Sequence, residues 1–359
     1  MSTDTEACTF IRIRSAAILA IGFLAIVVGC GREGGEAEHG DAIAWYLTMH
    51  GDEGGNAVVA LDRDGGAVAI VCSDKDVPED VSLRQPRAVA FLADGSMLVA
   101  SAYSEDPGIL RFGGPESDGR RPFIAVFADL GRDFADRIHP YDIAVAPDGT
   151  VFVSDQDANL VTWFAGLDAP IAGAPIPAPV GAKANWTPVT PPRDGIFIGS
   201  DGEQRDGLRC VRGLAFDGQG RLLVVDRDAA AVYAYDRATG KRLETVLDRS
   251  HGLKKPIQVA VDEAGRVYVS DRGARTVFRR TADGAVTDLL KGRPHRPELP
   301  SGIAIDGSTL YVGDRKRKAV LRVDLDKPES HLETFVGELP APPEFFVADP
   351  DRRSKASKR

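Results

Sequence analysis

The feature that most constrains the fold is a pattern that recurs at intervals of about 45 residues, as from Gly213 to Gln258 to Gly302. Each copy opens with Pro or a substitute, continues with an apolar triplet centred on Ala, turns at Asp and Gly, and closes with a second apolar run. The five copies are PRAVAFLADGSMLVAS from Pro86, PYDIAVAPDGTVFVSD from Pro140, VRGLAFDGQGRLLVVD from Val211, PIQVAVDEAGRVYVSD from Pro256 and PSGIAIDGSTLYVGD from Pro300.

Each copy predicts a four-stranded antiparallel meander. Two apolar runs joined by a turn of the Asp-Gly type form a hairpin. A third strand is predicted about six residues after the Asp that ends the second run, beginning at Val161, Val232, Val277 and Val320. A fourth follows in several copies, as in RLETVLD from Arg242, AVTDLL from Ala285 and HLETFV from His331.

Four-stranded sheets at this period predict an all-β fold, a six-bladed β-propeller over residues 42–351. The 38 Gly and 23 Pro favour short strands and turns. The segment 44–72 supplies three strands of one blade, and PEFFVADPD from Pro343 supplies its missing first strand. This shared blade joins the N- and C-terminal strands and closes the ring. The rival count is seven blades, with a degenerate blade in 165–209; we interpret that Pro/Ala-rich stretch as an insertion, with GIFIG from Gly195 as a candidate outer strand.

The N-terminal region predicts export. Arg12 and Arg14 precede an apolar run over 15–29, which is shorter than the roughly 20 residues of a transmembrane helix and typical of a signal peptide. Its end, VVGC, resembles the lipobox of bacterial lipoproteins, although Val27 stands where Leu is commonest. We predict a signal peptide over 1–29, lipidation at Cys30 and a flexible tether over 30–41. A plain secretory signal and an uncleaved anchor are the alternatives.

The resemblance to lipoproteins implies a location in the cell envelope. Gly31, and not Asp, follows Cys30, which by the lipoprotein sorting rule implies delivery to the outer membrane. We expect a monomer that is membrane-attached through its lipid anchor, either periplasmic or at the cell surface. Export would permit a disulfide between Cys72 and Cys210, but they fall in different blades, so free thiols are expected.

Charge limits the partners. The net charge is −9 at pH 7, so nucleic acid, which needs a cationic surface, is not an expected partner. The last residues, 352–359, are the basic sequence RRSKASKR. This tail is either a solubilising extension or an adhesive for anionic lipid head groups or cell-wall polymer.

Two copies carry a family resemblance. HPYDIAVAPDGTVFVSDQDANLVTWF and KPIQVAVDEAGRVYVSDRGARTVFRR resemble NHL-type repeats of six-bladed propellers, which are related to the senescence-marker and gluconolactonase group. The resemblance covers roughly 44–351. It implies the architecture and leaves the function open, because propellers serve both as enzymes and as binding modules.

In such a ring, the start of each innermost strand and the loop after each second strand open on one face, around the central channel. We call this opening the central mouth. The residues predicted to bind a ligand there are Arg87, Tyr141, Arg212, Ser301 and Glu344 from the inner strands and Arg227, Arg272 and Arg315 from the loops. Ile257 and His50 hold two further equivalent places.

Five arginines on one rim of an acidic protein suggest an anion-selective mouth, because the guanidinium fork matches carboxylate and phosphate. The expected ligands are a carboxylate-bearing glycan, a phosphoryl group or an acidic loop of an envelope protein. The alternative is that Arg227, Arg272 and Arg315 pair with neighbouring acids and hold adjacent repeats together.

The repeated aspartates are more typical of a structural role than of metal binding. Asp155, Asp226, Asp271 and Asp314 each end a second strand, where a carboxylate accepts hydrogen bonds from loop amides. Because the same aspartate recurs in four blades, we expect it to stabilise each blade, and we predict no metal at these positions.

The resemblance to gluconolactonases implies where a catalytic metal would lie. Those enzymes hold a divalent cation in the channel with Glu and Asn or Asp, whereas only Glu344 offers a carboxylate here and Ser301 stands in place of an Asn ligand. Related amidating lyases place His after the opening Pro, and no copy has it; His139 and His295 lie elsewhere. We therefore predict no metal, no cofactor and no assigned catalytic residue, and interpret the chain as a binding scaffold. A metal-dependent hydrolase or lyase is the alternative.

Overall fold

Six antiparallel sheets of four strands each make up the protein, which was analysed as a computed structural model. The structure describes residues 42–51, 55–102, 105–131, 139–178, 194–199, 208–327 and 330–351. The predicted signal peptide, Cys30, the tether and the basic tail lie outside the described residues. Within these ranges, no helix has the length and apolar character needed to span a membrane.

We number the strands along the chain. The first eleven are β1 (Trp45–Met49), β2 (Ala57–Leu61), β3 (Ala67–Ser73), β4 (Pro86–Phe91), β5 (Met97–Ser101), β6 (Gly108–Phe112), β7 (Phe123–Asp129), β8 (Pro140–Val145), β9 (Val151–Asp155), β10 (Leu160–Phe164) and β11 (Ile196–Ile198).

The remaining thirteen are β12 (Val211–Phe216), β13 (Leu222–Asp226), β14 (Ala231–Tyr235), β15 (Arg242–Leu247), β16 (Pro256–Val261), β17 (Val267–Asp271), β18 (Thr276–Arg280), β19 (Val286–Asp288), β20 (Pro300–Asp306), β21 (Thr309–Asp314), β22 (Ala319–Asp324), β23 (Glu333–Val336) and β24 (Pro343–Ala348). A short 3₁₀ turn, Arg249–His251, follows β15.

The six sheets are the blades of a propeller. Blade 1 contains β24, β1, β2 and β3 from the inside outwards, and blades 2 to 6 each take the next four strands of the chain. The inner strands β24, β4, β8, β12, β16 and β20 contact one another in that order, and β20 in turn contacts β24, which closes the ring. The prediction of six blades is confirmed. The candidate outer strand near Gly195 is also confirmed, because β11 pairs with β10 at the outside of blade 3.

Strands from the two ends of the chain close the ring. β24 pairs antiparallel with β1, with Trp45 opposite Ala348 and Leu47 opposite Phe346. Trp45 stacks on Phe346 at 4.6 Å between ring centroids and meets Tyr311 of blade 6 at 4.5 Å. The predicted shared blade is therefore confirmed, and an aromatic cluster seals its junction with blade 6.

Burial follows the position of each strand within its blade. The second strands β5, β9, β13 and β17 are buried along their whole length, as their unbroken apolar sequences predict. Outer strands such as β7 and β15 keep residues exposed at one end. The core consequently lies between blades, where each sheet covers its neighbour.

The repeated acids shape the loops at one end of every such blade. Asp226 accepts hydrogen bonds from the amides of Arg209 (2.8 Å), Cys210 (3.1 Å) and Ala229 (3.0 Å). Ala230 then adopts a positive φ of 54°, a conformation that costs about 1 kcal/mol or more in a non-glycine residue. Asp155, Asp271 and Asp314 make the same kind of contacts. The structural role predicted for these acids is confirmed, and they hold together the two loops that border the mouth.

The two cysteines of the propeller belong to blades that are not neighbours. Cys72 lies in β3 of blade 1, and Cys210 directly precedes β12 of blade 4. Both are buried and free, as expected. Burial raises the pKa of each thiol.

A glycine sets the contact between blades 6 and 1. A Cβ at Gly302 of β20 would lie 2.8 Å from the backbone of Glu344 and Phe345 in β24. We expect Gly302→Ala to lower the free energy of unfolding by about 1–3 kcal/mol, because the inner strands must separate. Urea denaturation measures the effect.

Gly218→Ala is the matched control for that substitution, because a Cβ there meets nothing within 4 Å. It should leave stability unchanged or raise it by up to about 1 kcal/mol. Equal effects of the two substitutions would contradict the close approach of blades 6 and 1.

Candidate functional site

The central mouth has an apolar floor. Tyr141 of blade 3, Ile257 of blade 5 and Phe345 of blade 1 belong to one buried cluster. The rings of Tyr141 and Phe345 meet edge to face, 5.6 Å between centroids. Because side chains of alternate blades can meet only at the axis of the ring, the start of the inner strands lines the channel.

A single buried carboxylate is surrounded by basic side chains. Glu344 is 0% exposed. Its Oε1 lies 2.9 Å from Nη1 of Arg87 and 2.9 Å from Nε of Arg315, and its Oε2 lies 3.9 Å from Nη2 of Arg272. Nδ1 of His50 lies 3.6 Å from Oε1. The sequence placed four of these residues at the mouth on separate blades, and His50 holds the equivalent place in blade 1.

The charges around Glu344 keep it ionised. Burial alone would raise the pKa of this carboxyl, because a charged group is poorly solvated in the interior. The polar contact with the His50 ring and the charges of Arg87, Arg315 and Arg272 outweigh burial and lower the pKa to about 2. Glu344 is therefore an anion that the fold itself supplies.

The opposite half of the mouth is built on Tyr141. The guanidinium of Arg212 lies 4.6 Å from the centre of the Tyr141 ring, and that of Arg87 lies 5.8 Å from it. Nη1 of Arg212 donates to Oε1 of Gln156. The phenol ring is thus held between two cations, and both contacts are attractive.

His139 joins the mouth next to Arg87. Nη2 of Arg87 lies 3.3 Å from Nε2 of His139, and Nδ1 of His139 lies 3.5 Å from Asp157. Because a guanidinium can only donate, Nε2 is the acceptor and the proton is assigned to Nδ1. Burial and the charge of Arg87 lower the pKa of His139 to about 4, so the ring is neutral near pH 7.

Two predicted residues serve other contacts. Arg227 donates to both carboxylate oxygens of Asp228, at 2.7 and 3.1 Å, in a partly exposed position. This matches the alternative of local pairing. The Ser301 hydroxyl donates to the Pro343 carbonyl at 2.9 Å, which links blades 6 and 1. Arg272 and Arg315 pair with Glu344, and Arg272 does so across two blades.

Several donors at the mouth have no hydrogen-bond partner within the described ranges. These are Oη of Tyr141, Nε of Arg87, Nε of Arg212, Nη2 of Arg272 and Nε of Arg315. The ion pairs of Glu344 are close in distance, yet neither of its oxygens accepts a well-aligned hydrogen bond. Unpartnered buried donors are rare in folded proteins and call for a ligand or water.

Sequence reasoning missed His139 and Gln156. Gln156 directly follows Asp155, which is the same place that Arg227, Arg272 and Arg315 hold after their strand-ending acids. This shared position in the repeat could have identified Gln156 as a residue of the mouth. His139 directly precedes the opening Pro140, and its neighbours in the mouth come from other blades, so no local pattern reveals its contacts.

A second buried carboxylate has a structural role. Asp142 accepts from the amide of Leu214 at 2.7 Å and from Nε2 of Gln258 at 2.9 Å, which joins blades 3, 4 and 5. Burial raises its pKa to about 7, although these hydrogen bonds oppose the rise.

The mouth does not fit a divalent cation. Glu344, the carboxylate at the gluconolactonase-like position, already faces three guanidinium groups that would repel a metal ion. In the part of the chain that the structure describes, no group of three or more His, Cys, Asp or Glu side chains could hold a metal.

Comparison with known proteins identifies the fold. The sequence matches no protein-family model and none of the curated proteins. The structure is similar to a chain of a nidogen–laminin complex, with a TM-score of 0.58 at 15% identity, covering 85% of this chain and 98% of that one.

Two bacterial structures are also similar. One is a catalytically inactive virginiamycin B lyase from Staphylococcus aureus with quinupristin, with a TM-score of 0.52 at 12% identity, covering 86% of this chain and 93% of that one. The other is a putative 6-phosphogluconolactonase from Bacteroides uniformis, with a TM-score of 0.50 at 12% identity, covering 82% of each chain. At these identities the likeness shows a shared propeller fold.

The depressed pKa of Glu344 predicts how its replacement depends on pH. Its contribution to stability is present above the ordinary pKa of 4.5 and is lost as the pH falls towards about 2. We expect Glu344→Gln to lower the free energy of unfolding by about 3–5 kcal/mol at pH 7, since it leaves buried cations unpaired. Denaturant titrations from pH 7 to pH 3 should show this deficit shrinking below about pH 4.5.

Glu333→Gln is the matched control, because Glu333 is an exposed glutamate that pairs with Arg322. It should change stability by no more than about 1 kcal/mol at any pH. A deficit for Glu344→Gln that stays constant down to pH 3 would contradict a carboxylate held ionised by the arginines.

Proposed function

We propose that this chain is an exported, lipid-anchored binding module of the cell envelope whose central mouth accepts an anionic group. The fold supports a ligand site at the axis, where side chains of all six blades can meet. The chemistry of the site supports an anion as ligand.

One observation carries the proposal: buried cationic donors outnumber the anions that could satisfy them. Arg87, Arg272 and Arg315 share the one buried carboxylate of Glu344, and Arg212 lies against the uncharged ring of Tyr141. Asp228, which lies in electrostatic range of Arg212, already pairs with Arg227. Burial lowers the pKa of Arg272, and the neighbouring charges of Arg315 and Arg212 act in the same direction, against the effect of Glu344. A ligand that brings negative charge supplies both the missing charge and the missing acceptors.

The ligand classes that suit this site are a carboxylate-bearing glycan, a phosphoryl group and an acidic loop of an envelope protein. The predicted lipid at Cys30 would hold the mouth close to such ligands. Solved structures of similar fold include a chain of a protein complex and an enzyme with a bound small molecule, so the fold accommodates either class of partner.

The alternative function is a metal-dependent hydrolase or lyase in the channel. The arginines around Glu344 weigh against it, since they occupy the carboxylate that would hold the cation. Elemental analysis of protein purified without chelators separates the two: one equivalent of calcium or zinc would favour the enzyme.

Removal of mouth arginines tests the proposal. We expect Arg87→Ala and Arg212→Ala each to weaken binding of acidic sugars by about tenfold or more, because each removes one positive charge from the mouth that attracts the anion. Isothermal titration calorimetry with galacturonate and glucose 6-phosphate, and with neutral galactose for comparison, measures the change in affinity.

The matched control is Arg237→Ala. Arg237 pairs with Asp148 in turns at the end of the blades opposite the mouth. Arg237→Ala should leave the affinities for all three sugars unchanged. Binding of the acidic sugars that is equal in all four proteins, or no binding by the wild type, would contradict an anion-accepting mouth.

The anchor is tested separately. We expect the full-length wild-type chain to fractionate with membranes and to incorporate labelled palmitate, and Cys30→Ser to do neither, because a thioether to the lipid needs the Cys sulfur. Cys72→Ser, at a buried position of blade 1, is the control. Retention of Cys30→Ser on membranes would support an uncleaved anchor instead.

A further inference from the structure

The mouth divides into two halves of unequal charge balance. Blades 6, 1 and 2 supply Arg315, Glu344 with His50, and Arg87, and in this half the cations surround the protein's own carboxylate. Blades 3, 4 and 5 supply Tyr141, Arg212 and Arg272. The uncharged acceptors that contact the trio include the Gln156 amide oxygen, bound to Arg212, and the Pro300 carbonyl of blade 6, which accepts from Nε of Arg272 at 3.0 Å.

The second half holds donors that are buried without partners. Tyr141 is 1% exposed and its hydroxyl has no hydrogen-bond partner among the described residues. Arg212 is 8% exposed, and its Nε is equally unpartnered. Buried donors without partners are rare in folded proteins, so these two atoms mark a place where a bound acceptor fits.

Two of the three donor side chains are in contact, since Arg212 stacks on the Tyr141 ring. Arg272 lies within electrostatic range of both, because Tyr141 and Arg212 are among the groups that shift its pKa. Nη2 of Arg272 has no hydrogen-bond partner and lies 3.9 Å from Glu344. Arg272 therefore stands between the two halves.

Arg212 occupies in blade 4 the place that Glu344 occupies in blade 1, three blades away across the axis. We propose that the trio Tyr141, Arg212 and Arg272 is the seat of one oxyanion of the ligand, opposite the carboxylate of Glu344. This proposal deepens the proposed function and rests on it. The ligand is a molecule bearing a carboxylate or a phosphate, whose oxygens accept from the phenol and from the two guanidinium groups.

Glu344 acts in this arrangement as an internal counter-anion. It forms ion pairs with Arg87 and Arg315, and its charge disfavours a second anion in its own half. The ligand's oxyanion is thereby directed to the trio, and the remainder of the ligand extends over the mouth.

Tyr141→Phe tests the seat with the least disturbance, because it removes only the hydroxyl and keeps the ring in its cluster. We expect binding of galacturonate or glucose 6-phosphate to weaken by about tenfold or more, the loss of one hydrogen bond to a charged group. The melting temperature of the ligand-free protein should stay the same or rise, since an unpartnered buried group is removed.

Tyr268→Phe is the matched control. Tyr268 is also fully buried, but its hydroxyl donates to Asp262 at 2.9 Å, in a turn at the far end of blade 5. Its loss should lower the melting temperature and leave both affinities unchanged. Tyr141→Phe is thus expected to lower affinity without lowering the melting temperature, and Tyr268→Phe to lower the melting temperature without lowering affinity. A general destabilisation cannot produce both results.

Comparison of the two sugars identifies the oxyanion: tighter binding of galacturonate assigns the seat to a carboxylate, and tighter binding of glucose 6-phosphate assigns it to a phosphate. Glu344→Gln should raise either affinity by about tenfold, because a competing negative charge is removed.

Unchanged affinity in Tyr141→Phe, while Arg87→Ala and Arg212→Ala lose binding, would overturn the seat and leave the anion-accepting mouth in place. Loss of affinity in Glu344→Gln, at a temperature where it remains folded, would also overturn it. Absence of binding by the wild type would instead contradict the proposed function itself.

Discussion

The antiparallel pairing of β24 with β1 is the interaction on which the rest of the structure depends. Without it, blade 1 would lack its innermost strand and the ring would have an open edge. The stacking of Trp45 on Phe346 and their contact with Tyr311 add a well-packed aromatic seal at this junction. The same strand carries Glu344, so the pairing that closes the ring also places the buried carboxylate of Glu344 among Arg87, Arg272 and Arg315.

The charge balance of the mouth explains why a carboxylate can be buried there. Removal of a charge from water is costly unless ion pairs replace its hydration. Arg87, Arg315 and Arg272 provide these pairs for Glu344, and the low pKa of Glu344 reports their effect. In the opposite half, the Arg212 side chain contacts the uncharged Tyr141 ring and the Gln156 amide. This difference between the two halves is the basis for the anion seat that we propose.

Much of this arrangement could be predicted from the sequence because the pattern repeats. The second strands, the turns capped by acids such as Asp226 and the shared blade all follow from local rules that recur in each copy. Equivalent positions in a closed ring converge on the axis, so the sequence also indicated that Arg87, Arg212 and Glu344 share one mouth.

The partners of those side chains could not be predicted in the same way. Arg227 and Arg315 occupy equivalent places, yet one pairs with the adjacent Asp228 and the other with Glu344 of the next blade. His139 is part of the mouth because its Nε2 contacts Arg87, which lies in blade 2. Such contacts depend on which side chains the neighbouring blades present, and a repeat pattern does not contain that information.

Anomalous diffraction from crystals soaked in sodium selenate tests the central claim most directly. Selenate is an oxyanion whose selenium can be located without bias from the protein phases. The account predicts a selenium peak within hydrogen-bond distance of the Tyr141 hydroxyl and the Arg212 and Arg272 guanidinium groups, with Glu344 still between Arg87 and Arg315. Selenate found only on arginines away from the mouth, with none at the axis, would contradict it.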